Sequence, residues 1–298
     1  MSTLESRIAT VVEEPIVITR WDRIKHFVGS HPLFVIGLSI FILIVVAALA
    51  APLLATHDPL AIKFSEKLRP PSLEHYLGTD SMGRDIFSRV LYGARTSLLV
   101  GVVVTGLAIG IGAPIGLIAA YFGGRTDTVL MRIADVFLAF PPLLLPIAIT
   151  AAIGAGLFNA MIALAVSWFP WYARIMRGSV LRVKSELYVS AARAMGVNHT
   201  NIMIRHAVPN ALTPVVVQCS LDFGYVILAA ASLSFIGIGA QPPDIEWGLM
   251  AAAERAKFLD FWWTVTCPGL AIFVTVLAVN LVGDGIRDLL DPKHQELK

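Results

Sequence analysis

Six runs of this chain, at 33–55, 97–121, 129–152, 156–180, 213–239 and 263–284, are each apolar over about 20 residues or more. That length crosses a hydrocarbon core about 30 Å thick when the backbone is helical. Lipid offers no partner to a backbone N–H or C=O, so each crossing must be a helix or part of a closed barrel. Uninterrupted apolar runs exclude the alternating pattern of a barrel strand. Composition agrees: 56% of the residues are hydrophobic, 15% are charged, and the mean hydropathy is +0.74. The chain is therefore expected to be an all-α membrane protein with six transmembrane helices. The first run is not read as a cleaved signal peptide. It is too long for a signal h-region, and a 32-residue mixed-charge segment precedes it.

Lysine and arginine set the orientation. With the N-terminus inside, 15 of the 23 basic residues fall on the inner side and eight on the outer side. Both termini and the 181–212 connection are then expected in the cytoplasm, with 56–96 and 240–262 outside. Residues 16–28 (IVITRWDRIKHFV) place Trp21, Ile24 and Val28 on one face. They read as an interfacial amphipathic helix, or as a basic tail that only sets topology. After Gly83, the residues Ile86, Phe87, Val90 and Leu91 form a short amphipathic stretch that could lie along the outer membrane face. A net charge of +2 gives no reason to expect a nucleic acid partner.

One connection is too long and too patterned to be a plain linker. Residues 185–210 read SELYVSAARAMGVNHTNIMIRHAVPN. Leu187, Ala191, Ala194 and Met195 recur at helical spacing and give an apolar stripe. Gly196 can end that helix in a left-handed conformation. Asn198 can cap a second short helix, and Pro209 is expected to end it, with Val208 extended before the proline.

No catalytic signature is present. There is no GxxxxGK[ST] phosphate loop, no HExxH and no G-x-S-x-G elbow. None of the seven histidines pairs with another at metal-ligand spacing along the chain. Cys219 and Cys267 lie in apolar runs and read as small buried side chains, neither disulfide nor metal ligands. Gly106/Gly110 and Gly112/Gly116 are two GxxxG pairs, suited to packing within the subunit or against a second one. Pro114, Pro141, Pro142, Pro146 and Pro170 interrupt spans, which fits either packed kinks or a pathway. Asp222 inside the fifth run either lines a translocation path or holds a structural hydrogen bond. Arg132 and Asp135, three residues apart, are expected to neutralise each other. Asp135, Ser232 and Ser234 join Asp222 as candidate path residues. Trp168, Trp171, Trp247, Trp262 and Trp263 read as an interfacial belt, with Trp247 also placed where an outer partner could meet it.

These strings carry a resemblance. The 185–210 segment is similar to the EAA loop of ATP-binding-cassette (ABC) importer permeases: Ser190-Ala191-Ala192, then Gly196, then Val208-Pro209. LGTDSMGRDIFSRVLYGARTSLLVG (77–101), AYFGG (120–124), ASLSFIGIGAQPP (231–243), EWG (246–248) and NLVGDGIRDLLDP (280–292) resemble the C-type permease of dipeptide, oligopeptide and nickel importers.

The resemblance implies the type I importer permease fold, with a cytoplasmic coupling helix that docks on an ATPase and rocks the membrane helices. The chain would divide into a cytoplasmic tail (1–32), a first span with its external loop (33–96), a permease core with coupling loop 181–212 (97–284) and a cytoplasmic tail (285–298). Glu186, Ser190, Ala191, Ala192, Arg193, Gly196, Arg205 and Pro209 would form the ATPase-coupling set. The implied partners are a homologous B-type permease, two ATPases, an extracytoplasmic solute-binding protein and the lipid of a bacterial or archaeal inner membrane. The chain itself would be no enzyme and would bind no cofactor or metal; ATP and Mg would sit on the ATPases. The expected cargo is a di- or oligopeptide, with nickel complexes, glutathione or oligosaccharides as alternatives. An ion-coupled secondary transporter or a membrane scaffold are the rivals.

Two positions depart from the pattern. Ser190 stands where the family has glutamate, so either Glu186 one turn earlier takes over the contact or docking is weaker. Ala230 stands where the family string E-A-S-L-S-F begins with a carboxylate.

Overall fold

The computed structural model of the chain describes residues 28–290. The segment 16–28, apart from its last residue, and 291–298 lie outside them. Among the described residues the secondary structure is helical, with one isolated bridge between Thr79 and Asp85 and no strand.

The first crossing helix, α1 (Pro32–Leu49), starts with proline in its first turn, where the missing N–H costs nothing. It continues through a short turn, Ala51–Leu54. A Cβ at Gly37 would sit 2.9 Å from the Ala278 carbonyl oxygen, so α1 lies almost backbone to backbone on the last helix, α9 (Trp263–Leu290).

The stretch after Gly83 is not a separate surface helix. It is the first part of α2 (Ile86–Phe122), which runs for 37 residues. Asp85 caps it by accepting from the Ser88 amide at 2.8 Å. No proline intervenes before Pro114, so nothing stops the helix between its amphipathic start and its apolar middle. Near the N-terminus of α2, the Asp80 carboxylate accepts from the Met82 and Arg84 amides and the Arg84 side chain, which closes the loop LGTDSMGRD on itself.

The third span is broken. α3 (Gly124–Leu138) stops before Pro141 and Pro142, and α4 (Leu144–Ile153) resumes beyond them. Pro114, Pro146 and Pro170 lie inside continuous helices instead. α5 (Leu157–Lys184) carries Arg174, Arg177, Arg182 and Lys184 toward its end. The patterned segment 185–210 follows with α6 (Leu187–Ala194), and α7 (Val208–Ile236) leads back across. α8 (Trp247–Glu254) is a short helix capped by Glu246, whose two oxygens accept from the Gly248 and Leu249 amides. α1, α2, α7 and α9 are long and apolar enough to cross a membrane singly.

The principal core joins α2, α5 and α7, with Val104, Leu164, Tyr172, Met176 and Val226 fully or almost fully buried. The two glycine pairs of α2 face different ways. A Cβ at Gly112 would land on the Phe169 carbonyl, and one at Gly116 on the Ala173 carbonyl, so this pair lets α5 approach. Gly106 and Gly110 are exposed with open space where a Cβ would stand. A second core, built on Ile86, Ala94, Trp247, Met250 and Trp263, ties the start of α2 and the loop before it to α8 and α9.

Candidate functional site

The segment 185–210 is held by its ends and left bare on one face. Where α5 finishes, Lys184 donates to the Tyr121 carbonyl at 2.8 Å and to the Ala120 carbonyl at 3.3 Å, closing the C-terminal end of α2. Arg177 makes a two-pronged bond to Asp127, which brings α3 alongside α5. The hydrogen bond from Arg177 holds the Asp127 carboxyl below its ordinary value.

α6 itself buries only Val189 and Ala192, against the core that includes Val183, Ile202 and Ala207. The predicted stripe of Leu187, Ala191, Ala194 and Met195 is exposed along its whole length. Leu187 is 86% and Met195 76% exposed. Glu186, Ser190, Arg193 and Arg205 are exposed as well, and Glu186, Arg193 and Arg205 form no ion pair among the described residues. The stripe is therefore not an inward face of this subunit.

The helix stop is as the residues imply. Gly196 has φ +79, the Val197 amide bonds back to the Ala192 carbonyl at 3.1 Å, and the Gly196 amide to Arg193 at 3.0 Å. This pair of bonds is a Schellman stop, which favours glycine. Asn198 then caps the next turn, His199–Asn201, through the Thr200 amide at 2.7 Å. Pro209 does not end that helix. A π-helical turn, Ile202–Ala207, runs straight into α7, and Val208 is helical (φ −60, ψ −54) rather than extended. The Val208 amide reaches back five residues to Met203. Widening the turn makes room for the proline ring, and Pro209, at the first turn of α7, has no N–H to place. Residues 199–207 and α7 are thereby one continuous rod, to which α6 is joined through the Gly196 stop.

Gly196→Leu forces a side chain into the left-handed region, which costs about 1–2 kcal/mol. No atom lies within 4 Å of the new Cβ, so the change strains the stop without overpacking it. The expected result is loss of energised uptake with normal amounts of protein in the membrane, measured by transport assay and immunoblot. Normal uptake by this variant would count heavily against a coupling role.

Comparison with known proteins places the chain in a family. Residues 112–295 match the binding-protein-dependent transport system inner membrane component, and residues 19–71 match the N-terminal transmembrane domain of oligopeptide transport permease C. The chain belongs to this family of transport permeases. A probable D,D-dipeptide transport system permease protein of Escherichia coli is 48% identical, covering 89% of each chain. A dipeptide transport system permease protein of Alkalihalophilus pseudofirmus is 42% identical over 93% of this chain and 91% of its own. A glutathione transport system permease protein of Pectobacterium atrosepticum is 42% identical over 95% and 94%. Among solved structures, the inward-facing MetNI methionine ABC transporter superposes with a TM-score of 0.57 at 19% identity, over 68% of this chain and 96% of that one. The permease thus has the type I importer fold and is a multi-pass inner-membrane transport subunit. Its family works with ATPase and binding-protein partners.

The candidate path residues of the permease are dispersed. Asp135 bonds to Arg174 on α5 at 2.6 Å, not to Arg132, because the helical pair α3/α5 brings the guanidinium closer than the next turn of α3 does. Asp222 is half-buried on α7, accepts from Gln218 one turn earlier at 2.8 Å and lies beside Tyr172. Ser232 bonds back to the Leu228 carbonyl. Ser234 is 1% exposed and its hydroxyl accepts from the Ala240 amide at 3.0 Å. It closes the turn after α7 and does not line an open path. Ala230 is buried in the core of α2, α5 and α7, where its methyl packs without the cost of desolvating a carboxylate. An apolar cleft does open at the break of the third span, lined by Phe137, Phe140, Pro141, Pro142, Trp168 and Trp171.

The tryptophans divide. Trp171 and Trp262 are about half exposed and suit a belt. Trp168, Trp247 and Trp263 are buried. Trp247 is 2% exposed and donates to the Val90 carbonyl at 3.0 Å, so it is a packing anchor and not a contact for an outer partner.

Proposed function

We propose that this chain is the C-type permease subunit of an ABC importer that takes up short peptides. ATP would be hydrolysed on two separate ATPase subunits, and the helix Leu187–Ala194 would be the element they grip. The observation that carries this reading is the bare apolar stripe of Leu187, Ala191, Ala194 and Met195, on a helix joined through the Gly196 stop to the rod that continues as α7. A rigid helix of this kind transmits displacement without stretching. Glu186, at the N-terminal end of the stripe and without an ion-pair partner among the described residues, is placed to stand in for the carboxylate that Ser190 lacks. Both termini and the 181–212 loop would lie in the cytoplasm, as the distribution of basic residues requires. The exposed Gly106/Gly110 face of α2 suits close contact with a second permease.

Short peptides are the favoured cargo because relatives at 42–48% identity are named for dipeptides and glutathione. The test is purification of the tagged chain from its native membrane in mild detergent, with mass spectrometry of its companions and of the ligand on the cognate binding protein. A Walker-type ATPase, a second permease and a bound peptide are the expected result. Recovery of the chain alone, under conditions that preserve comparable complexes, would point to a self-sufficient transporter. A nickel complex or oligosaccharide on the binding protein would overturn the cargo alone.

A further inference from the structure

Along the chain His57, His75 and Asp85 look unrelated. In the fold they meet beside the N-terminus of α2. His75 Nδ1 lies 2.9 Å from Asp85 Oδ1, His57 Nδ1 lies 3.9 Å from the same oxygen, and one donor atom from each residue falls within 4.8 Å of the other two. The imidazole centroids are 4.6 Å apart. A tetrahedral zinc ion with bonds of about 2.0–2.1 Å holds its ligand atoms roughly 3.3 Å apart. The two distances to Asp85 Oδ1 bracket that value; His57 Nδ1 also meets Thr56 Oγ1 at 3.0 Å, a contact that an ion bound there would replace.

The backbone around each ligand is pinned. Asp85 Oδ2 accepts from the Ser88 amide, which leaves Oδ1 turned toward the two imidazoles. The His57 amide donates to Ser88 Oγ at 3.1 Å, and the His75 amide to Ser72 Oγ at 3.1 Å. His75 and Asp85 are each 2% exposed, whereas the His57 side chain is 27% exposed and leaves one side reachable from solvent.

The far side of His75 decides what the cluster lacks. Its Nε2 is buried without a hydrogen-bond partner and faces Glu66 Oε2 at 3.5 Å, an oxygen that also pairs with the Lys63 ammonium at 3.4 Å. A neutral imidazole has one N–H and one lone pair. Protonated on Nδ1, it turns the Nε2 lone pair toward Glu66. Protonated on Nε2, it turns the Nδ1 lone pair toward Asp85. Either tautomer sets a lone pair against a carboxylate in a buried place. A cation bound at Nδ1 removes the conflict and lets Nε2–H point at Glu66, the arrangement of a metal-bound histidine backed by a carboxylate.

We propose that His57, His75 and Asp85 form a binding site for one divalent transition-metal ion of the zinc type, with Glu66 orienting His75 from behind. Two imidazoles and a carboxylate select such an ion over calcium or magnesium. The ion would tie the segment after α1 to the start of α2 and so brace the loop between them.

The test uses the full chain in its purified membrane complex, tag removed and stripped with chelator, then dialysed against buffered zinc chloride at neutral pH. Metal content is read by mass spectrometry. The expected result is one zinc per chain that His57→Ala lowers in affinity at least tenfold. Glu66→Gln is expected to lower it by about 10–100-fold. If His75→Ala or Asp85→Asn fails to fold, His57→Ala decides alone, since its side chain is partly exposed and caps no helix. The proposal is overturned if the wild type takes up no zinc. It is also overturned if His57→Ala binds as the wild type does, or if Glu74→Gln releases the ion in its place. The latter result would put the metal among Glu66, Glu74 and His75, the other set of donors within reach.

Discussion

Replacing Leu187 and Met195 together with aspartate is expected to cut ATP-driven uptake at least tenfold while leaving the permease at normal levels in the membrane. Both side chains are exposed, at 86% and 76%, so neither contributes to the core of this subunit. Burying an apolar side chain of this size against a partner stabilises the contact by about 1.5–3 kcal/mol. A loss of about 1.4 kcal/mol is already tenfold in affinity, and two new carboxylates add a desolvation cost at the interface. Uptake of labelled peptide and co-purification of the ATPase should fall together. The single change Val189→Asp on the opposite face makes the contrast: Val189 is 2% exposed in the core, so that variant should lose protein rather than coupling. If the Leu187/Met195 double variant transports normally, the exposed stripe is not where the ATPase docks.

The second large effect belongs to Gly112. Leucine there is expected to destabilise the fold by about 3 kcal/mol, the upper end for overpacking, and to remove most of the protein from the membrane. Its Cβ would collide with the Phe169 carbonyl and stand 2.8 Å from Tyr172 Cβ, and neither backbone nor β-carbon can swing aside. α2 and α5 would have to separate, taking apart the principal core. Gly110→Leu, two residues earlier, meets no atom within 4 Å and should leave the isolated chain folded. If the second permease packs on that face, Gly110→Leu will instead weaken assembly. Melting temperature in detergent and recovery of the partner permease separate the two effects.

The two glycine pairs also show where reading the chain stops. GxxxG spacing is visible in both, and it says that a backbone comes near. Only the rotation of α2 about its own axis assigns Gly112 and Gly116 to α5 and leaves Gly106 and Gly110 bare. The coupling loop behaves similarly. The apolar stripe, the glycine stop and the Asn198 cap follow from side-chain spacing and local backbone preference, and each is legible in 185–210. That the stripe faces away from the subunit is not, because Val189 and Ala192 could as well have been the outer face. Pro209 was misleading for a physical reason: a proline is expected to break a regular α-helix, but a π turn ahead of it relieves the ring clash and keeps the rod continuous.

What the sequence determines by itself is whatever depends on contiguous residues and on the solvent. Twenty apolar residues in a row require a membrane helix, and the ordered motifs identify the family. What only the tertiary structure decides is every pairing between distant segments. Asp135 bonds to Arg174 and not to its helical neighbour Arg132. Ser234 closes a turn, and Trp247 is buried under α2. His57 and His75, with no metal spacing between them in the chain, face one carboxylate in the fold. Such contacts arise from how helices and loops pack, and packing brings together residues whose separation along the chain carries no trace of it.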